Sequence, residues 1–109
     1  MAARLADFNV TERYIFNGSP YVGDNIKGYR EQSPITYASQ MKTPTLILSD
    51  TGDNRDPFAT SSMYWRALRD NHKDATLRVW PVDGHFPDDP VRTVDVFHYW
   101  IEYLADHFR

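Results

Sequence analysis

The second half of the chain repeats one pattern twice: a short β-branched apolar run, a polar loop, then an amphipathic helical stretch. Thr45-Leu46-Ile47-Leu48, opened by Pro44, is too short for a buried helix and reads as a buried strand. The stretch from Asp50 to Pro57 is dense in Asp, Asn and Gly and reads as a loop. From about Phe58 to Asn71, Met63 with Ala67 and Tyr64 with Leu68 recur at i, i+4, which predicts a helix. Asp56 is the expected cap and Pro57 the expected first helical residue, and Asn71, His72 and Lys73 close the helix. Thr76 to Val82 is a second, partly exposed strand, and Asp83 to Pro90 a second loop. The last helix runs from about Val91 to Phe108, with Val94, Phe97, Ile101, Leu104 and Phe108 on one face. Crossovers of this length pair strands in parallel. The expected fold is therefore α/β: two parallel strands alternating with two helices.

Residues 1–43 have a different texture. They are polar, aromatic and punctuated by Gly18, Pro20, Gly23, Gly28 and Pro34, and their apolar residues keep no clear period. The division expected is an irregular segment over 1–43, with short helical turns, and a strand-helix-strand-helix unit over 44–109. So long an irregular stretch is uncommon in a compact domain, so the chain is expected to be part of something larger. The hydrophobic fraction of 41% supports a small core. A net charge of -3 with scattered basic residues gives no footing for nucleic acid or an anionic membrane. No apolar run nears the roughly 20 residues of a bilayer span. Without cysteine, disulfides and thiolate metal sites are excluded, and the compartment is left open.

Function in a parallel sheet gathers in the loops after the carboxyl ends of the strands. Here those loops carry Asp53 and His85. If the strands are neighbours, a carboxylate and an imidazole meet. A carboxylate in that place fixes the tautomer of a general base and stabilises the imidazolium. Asp then His is also the chain order of an α/β-hydrolase, with the serine upstream.

Several runs together resemble the prolyl oligopeptidase family of serine peptidases. Ser33-Pro34-Ile35-Thr36-Tyr37-Ala38 and Lys42-Thr43-Pro44-Thr45-Leu46-Ile47 resemble the entry to its penultimate strand. Gly52-Asp53-Asn54-Arg55-Asp56-Pro57 resembles its acid loop, usually Asp-x-Arg-Val-Pro. Tyr64-Trp65-Arg66-Ala67-Leu68-Arg69 resembles the following helix, and Asp83-Gly84-His85 its base loop. The resemblance implies the C-terminal portion of an α/β-hydrolase domain, with Asp53 as catalytic acid and His85 as general base. Arg55 and Pro57 fall at positions that shape the acid turn. Asp50 replaces a common glycine and Asp56 a common valine, so Asp50, Asp53 and Asp56 all compete for the acid role, with motif register favouring Asp53.

The sequence contains no Gly-x-Ser-x-Gly nucleophile elbow. Ser19 precedes Pro20, which has no N–H to donate to an oxyanion, and Ser61 and Ser62 fall inside a predicted helix. The expectation is a piece of a peptidase that supplies the acid and base and is inactive alone. Its partners would be a peptide substrate in the intact parent and the remainder of the catalytic domain or a second copy of this chain. An esterase or lipase-type hydrolase, or a non-catalytic interaction module on the same fold, are the alternatives. No cofactor is expected. No metal is expected either, because the acidic residues of the two loops lack a calcium-loop alternation. His72, His98 and His107 read as surface histidines. The aromatics Tyr64, Trp65, Phe97, Trp100 and Tyr103 read as core packing at helical spacing. Tyr14 and Phe16 are left as candidate pocket aromatics.

Overall fold

The computed structural model describes residues 14–108. The described residues before the first strand include two short helical pieces, α1 at Asn25–Glu31 and a 3-10 helix at Pro34–Gln40. The stretch read as irregular with helical turns is thus partly ordered, and it folds back on itself. The Tyr29 hydroxyl donates to the Gly18 carbonyl at 2.9 Å, and the Phe16 ring stacks on Tyr29 with centroids 4.1 Å apart. Pro34 opens the 3-10 helix, where its missing N–H costs nothing. The helix delivers Ala38 to the core.

Strand β1 spans Thr45–Gly52 and β2 spans Ala75–Asp83, joined by helix α2 at Phe58–Asp70. The two strands pair in parallel, from Thr45 against Ala75 to Asp50 against Trp80. The register then slips, so that Gly52 faces Asp83. The slip places one extra residue on β2, around Pro81, which cannot donate to a ladder and is tolerated at such a bulge. Helix α3, Pro90–His107, closes the chain. This is the expected α/β order, two parallel strands alternating with two helices.

The small core is built where α2 covers the sheet and the 3-10 helix. Leu68 is fully buried, with Ala38 and Ala75 beside it and Met41, Ile47, Tyr64, Trp65 and Ala67 around them. The Trp65 indole N–H donates to the Ala75 carbonyl at 3.1 Å and fixes α2 on β2. Met63, expected on the same stripe as Ala67, is half exposed and faces away. Residues at i and i+4 drift in angle, and the core side of α2 is the Tyr64–Ala67–Leu68 side.

Helix boundaries also depart from expectation. Pro57 is the N-cap of α2, with extended ψ, not its first helical residue, and Asp56 makes no capping bond. The same Asp-Pro signature does cap α3: Asp89 is the N-cap, its side chain accepts from the Arg92 amide, and Pro90 is the first helical residue. Val94, Phe97, Ile101 and Leu104 do share one face of α3, and that face is exposed among the described residues. Phe97 and Trp100, read as core aromatics, contact each other edge to face with ring centroids 5.5 Å apart and remain about half exposed. Polar ties join α3 to β2. The Trp80 indole N–H donates to Asp95 at 2.6 Å, and the Arg78 guanidinium lies 4.6 Å from the Tyr99 ring centroid.

Candidate active site

Strand β1 runs past Asp50 and ends at Gly52, so Asp53 is the first residue beyond it. Gly52 is needed for close approach. A Cβ there would come within 2.9 Å of the Asp83 Cα, too near for any side chain. The glycine lets the ends of β1 and β2 sit tightly together, and the loops leave from neighbouring points. On the β2 side, Gly84 takes a φ of +102°, which a residue with a Cβ rarely adopts, and His85 follows at once.

The two loops bring Asp53 and His85 into contact: the His85 Nδ1 lies 2.9 Å from the Asp53 Oδ2. The other carboxylate oxygen is held from behind. Asp53 Oδ1 accepts from the amides of Arg55 at 2.7 Å and Asp56 at 2.9 Å, an Asx-type turn that aims Oδ2 at the ring. Burial pushes the Asp53 carboxyl up. The Asp56 amide, the His85 ring and the Arg55 amide together outweigh it, and the group sits below its ordinary value of 3.8. It is therefore ionised at neutral pH and can only accept. The proton between the pair then belongs to His85 Nδ1, which leaves the Nε2 lone pair available as a base. The His85 side chain keeps 28% of its surface exposed, enough for a reacting group to reach it, while that of Asp53 keeps 9%.

The competing acids border the same cleft as Asp53 and His85 but have other partners. Asp50, read as a loop residue, is in β1, buried, and occupied by the guanidinium of Arg92. Asp56 is exposed and contributes its amide to the turn. Arg55 likewise contributes its amide to the turn. His72 ends α2, His98 pairs with Glu102 on the surface of α3 at 3.2 Å, and the His107 ring stacks on Tyr103. None of these three lines the cleft that Asp53 and His85 share. Among the described residues, no group of three or more His, Asp or Glu converges as a metal site, and no helix is long and apolar enough to cross a membrane.

That cleft has a volume of about 620 Å³. Its walls include Phe16, Tyr29, Ile47, Tyr64 and Trp80. Phe16 thus reaches it, whereas Tyr14 is 85% exposed and does not line it. Ser61 also borders the cleft, from the first turn of α2, and Ser62 does not. Arg92 is the residue at the site that sequence reasoning missed. Its helical position gives no sign that it turns inward, and only the Asp89-Pro90 cap beside it is readable in advance.

The prolyl oligopeptidase family profile matches residues 2–109. The chain belongs to the prolyl oligopeptidase family. Within it, the chain is 34% identical over 74 residues to an acylamino-acid-releasing enzyme of Arabidopsis thaliana, covering 68% of this chain and 10% of that protein. It is 31% identical over 77 residues to the acylamino-acid-releasing enzyme of Homo sapiens, covering 71% of this chain and 10% of that protein. The chain thus spans about a tenth of the length of the curated relatives it matches. Its fold is also found in an acylaminoacyl peptidase of Pyrococcus horikoshii, with a TM-score of 0.82 and 21% identity, over 97% of this chain and 17% of that one. This prolyl oligopeptidase family chain is therefore a C-terminal α/β-hydrolase portion.

Proposed function

We propose that Asp53 and His85 are the acid and base of a Ser-Asp-His triad in a serine peptidase. The serine would be supplied by polypeptide outside this sequence. The single observation that carries the reading is the 2.9 Å contact between His85 Nδ1 and an ionised Asp53. His85 Nε2 would take the proton of the serine hydroxyl as the hydroxyl attacks the carbonyl. It would return that proton to the leaving amine, and Asp53 would stabilise the imidazolium between the two steps. The names of the relatives set the substrate class we propose, short peptides bearing an N-acylated first residue.

Two measurements test this. The 109-residue chain alone is expected to show no labelling by a serine-directed fluorophosphonate, because the sequence has no nucleophile elbow. Stoichiometric labelling of any of its serines overturns that. In a polypeptide joining this chain to the region encoded upstream of it, hydrolysis of an N-acetylated amino-acid anilide is expected, and His85→Gln should lower it by about 10⁴-fold or more. Full activity in that variant rules out His85 as the base.

A further inference from the structure

One guanidinium ties together the strand ends on which Asp53 and His85 depend. Arg92 lies in the first turn of α3 and is 6% exposed. Its Nη2 donates to Asp50 Oδ2 at 2.5 Å, and its Nη1 donates to the Asp83 carbonyl at 3.3 Å. Nη1 also lies 3.7 Å from Asp88 Oδ1. Asp50 stands three residues before Asp53, Asp83 two before His85, and Asp88 three after it. The side chain therefore reaches the end of β1, the end of β2 and the return of the His85 loop at once. Its own amide is held by Asp89 Oδ1 at 2.8 Å, so the arm starts from a fixed point.

Stability alone is a poor account of this pair. Arg92 and Asp50 are the buried charged residues among those described. Burying both charges costs desolvation that their attraction does not reliably repay. Burial is the largest influence on the Asp50 carboxyl and raises it above its ordinary value, with Arg92 pulling the other way. A pair of that kind is better explained by the geometry it imposes. The loop it would govern is supported from outside: Gly84 has a positive φ, and besides Arg92 the Thr93 hydroxyl reaches the returning stretch, 3.4 Å from the Pro87 carbonyl and 2.8 Å from the Asp89 carbonyl, both on the far side of His85 from Asp83.

We propose that Arg92, anchored on Asp50, is a positioning residue that sets the His85 loop against Asp53. It acts through the backbone at Asp83 and touches neither His85 nor any reacting group. The inference concerns the same pair as the proposed function. Its readout is the hydrogen bond itself, so it can fail while the peptidase reading stands, and the converse also holds.

The test is nuclear magnetic resonance on the full chain. The primary variant is the double substitution Asp50→Asn with Arg92→Met, which removes both buried charges together and leaves neither uncompensated. Its melting temperature is expected to stay near that of the parent. The Nδ1–H proton of His85 is expected to lose its protection from solvent, and amides in residues 84–89 to exchange about tenfold faster or more, the loss of one charge-assisted bond to the backbone. Arg92→Lys is the second variant. It keeps a cation beside Asp50 but lacks the fork that also reaches Asp83, so it should keep the fold and loosen the same loop. Parent-like protection of His85 Nδ1–H and of residues 84–89 in the folded double variant overturns the proposal. If the double variant does not fold, Arg92→Lys decides: loosening confined to 84–89 supports the proposal, and parent-like exchange there overturns it.

Discussion

Asp53→Asn isolates what the carboxylate charge does, because the geometry around it is otherwise preserved. Oδ1 would remain an amide oxygen and still accept from the Arg55 and Asp56 amides. The NH₂ group would then occupy the place of Oδ2, 2.9 Å from His85 Nδ1. In the parent that nitrogen carries a proton, so two donors would face each other. The imidazole can relieve this by moving its proton to Nε2 and accepting through Nδ1. The contact survives, but the lone pair that would serve as base is lost. Replacing a charge-assisted bond at a buried carboxylate by a neutral one should cost about 1–2 kcal/mol of stability. Asp53→Ala should cost more, since two amides also lose their acceptor, by about 1 kcal/mol for the pair after allowing for their exposure to water. The pH dependence has a definite sign. Asp53 titrates below its ordinary value of 3.8, so its contribution is fully present above that pH. It is lost as pH falls through the depressed folded value. Asp53→Asn should flatten that acid limb. The assay is a long-range ¹H–¹⁵N correlation spectrum of the histidine rings at neutral pH, with thermal melts alongside. If His85 keeps its proton on Nδ1 in Asp53→Asn, the assignment of donor and acceptor here is wrong.

Two further substitutions probe the backbone around the site. Gly52→Ala would put a Cβ against the Asp83 Cα at 2.9 Å, so the strand ends must separate. The expected result is a loss of about 1–3 kcal/mol together with loss of the His85–Asp53 contact, and a crystal structure of the variant with an unchanged register would contradict it. His72 ends α2 with a φ of +55°, its amide bonded to the Arg69 carbonyl and the Lys73 amide to the Leu68 carbonyl, a Schellman closure with histidine where glycine is usual. His72→Gly should therefore raise stability by about 0.5–1 kcal/mol, the relief of left-handed strain less the added freedom of the unfolded chain, and chemical denaturation showing no gain refutes that account.

The elements legible in the sequence were those fixed by local pattern. The run at Thr45–Leu48, the loop chemistry after it and the i, i+4 pair Tyr64–Leu68 were enough to place β1, α2 and their order, and two polar loops at the ends of neighbouring strands were enough to bring Asp53 toward His85. The failures share a cause. Asp50 was read with the loop because Asp is a turn residue by propensity. It lies in β1 because Arg92, 42 positions away, supplies a partner that lets a carboxylate be buried there. The Asp-Pro signature is read as a cap at 56–57, where Asp56 makes no capping bond, while at 89–90, read as the end of a loop, Asp89 does cap the helix. At the first, Asp53 Oδ1 has already recruited the Asp56 amide into its own turn, and the helix starts one residue later than the signature implies.

Helix α3 carries the same lesson further. Apolar periodicity is a property of one helix, whereas burial needs two surfaces. The spacing of Val94, Phe97, Ile101 and Leu104 was read correctly as one face, yet nothing among the described residues covers that face. The side that turns inward is Arg92, Val96, Tyr99 and Tyr103, and three polar contacts tie it to the strands: Arg92 to Asp50, Trp80 to Asp95, and Arg78 over Tyr99. Two of the three join α3 to β2, and the third reaches β1 beside the acid loop. The consequence is a division of labour along the helix. Its first turn, through Arg92, is committed to the geometry of the two loops, and its apolar face takes no part in that commitment. The alignment of Asp53 with His85 therefore rests on contacts made within residues 50–95, and substitutions on the outer face of α3 should leave it intact.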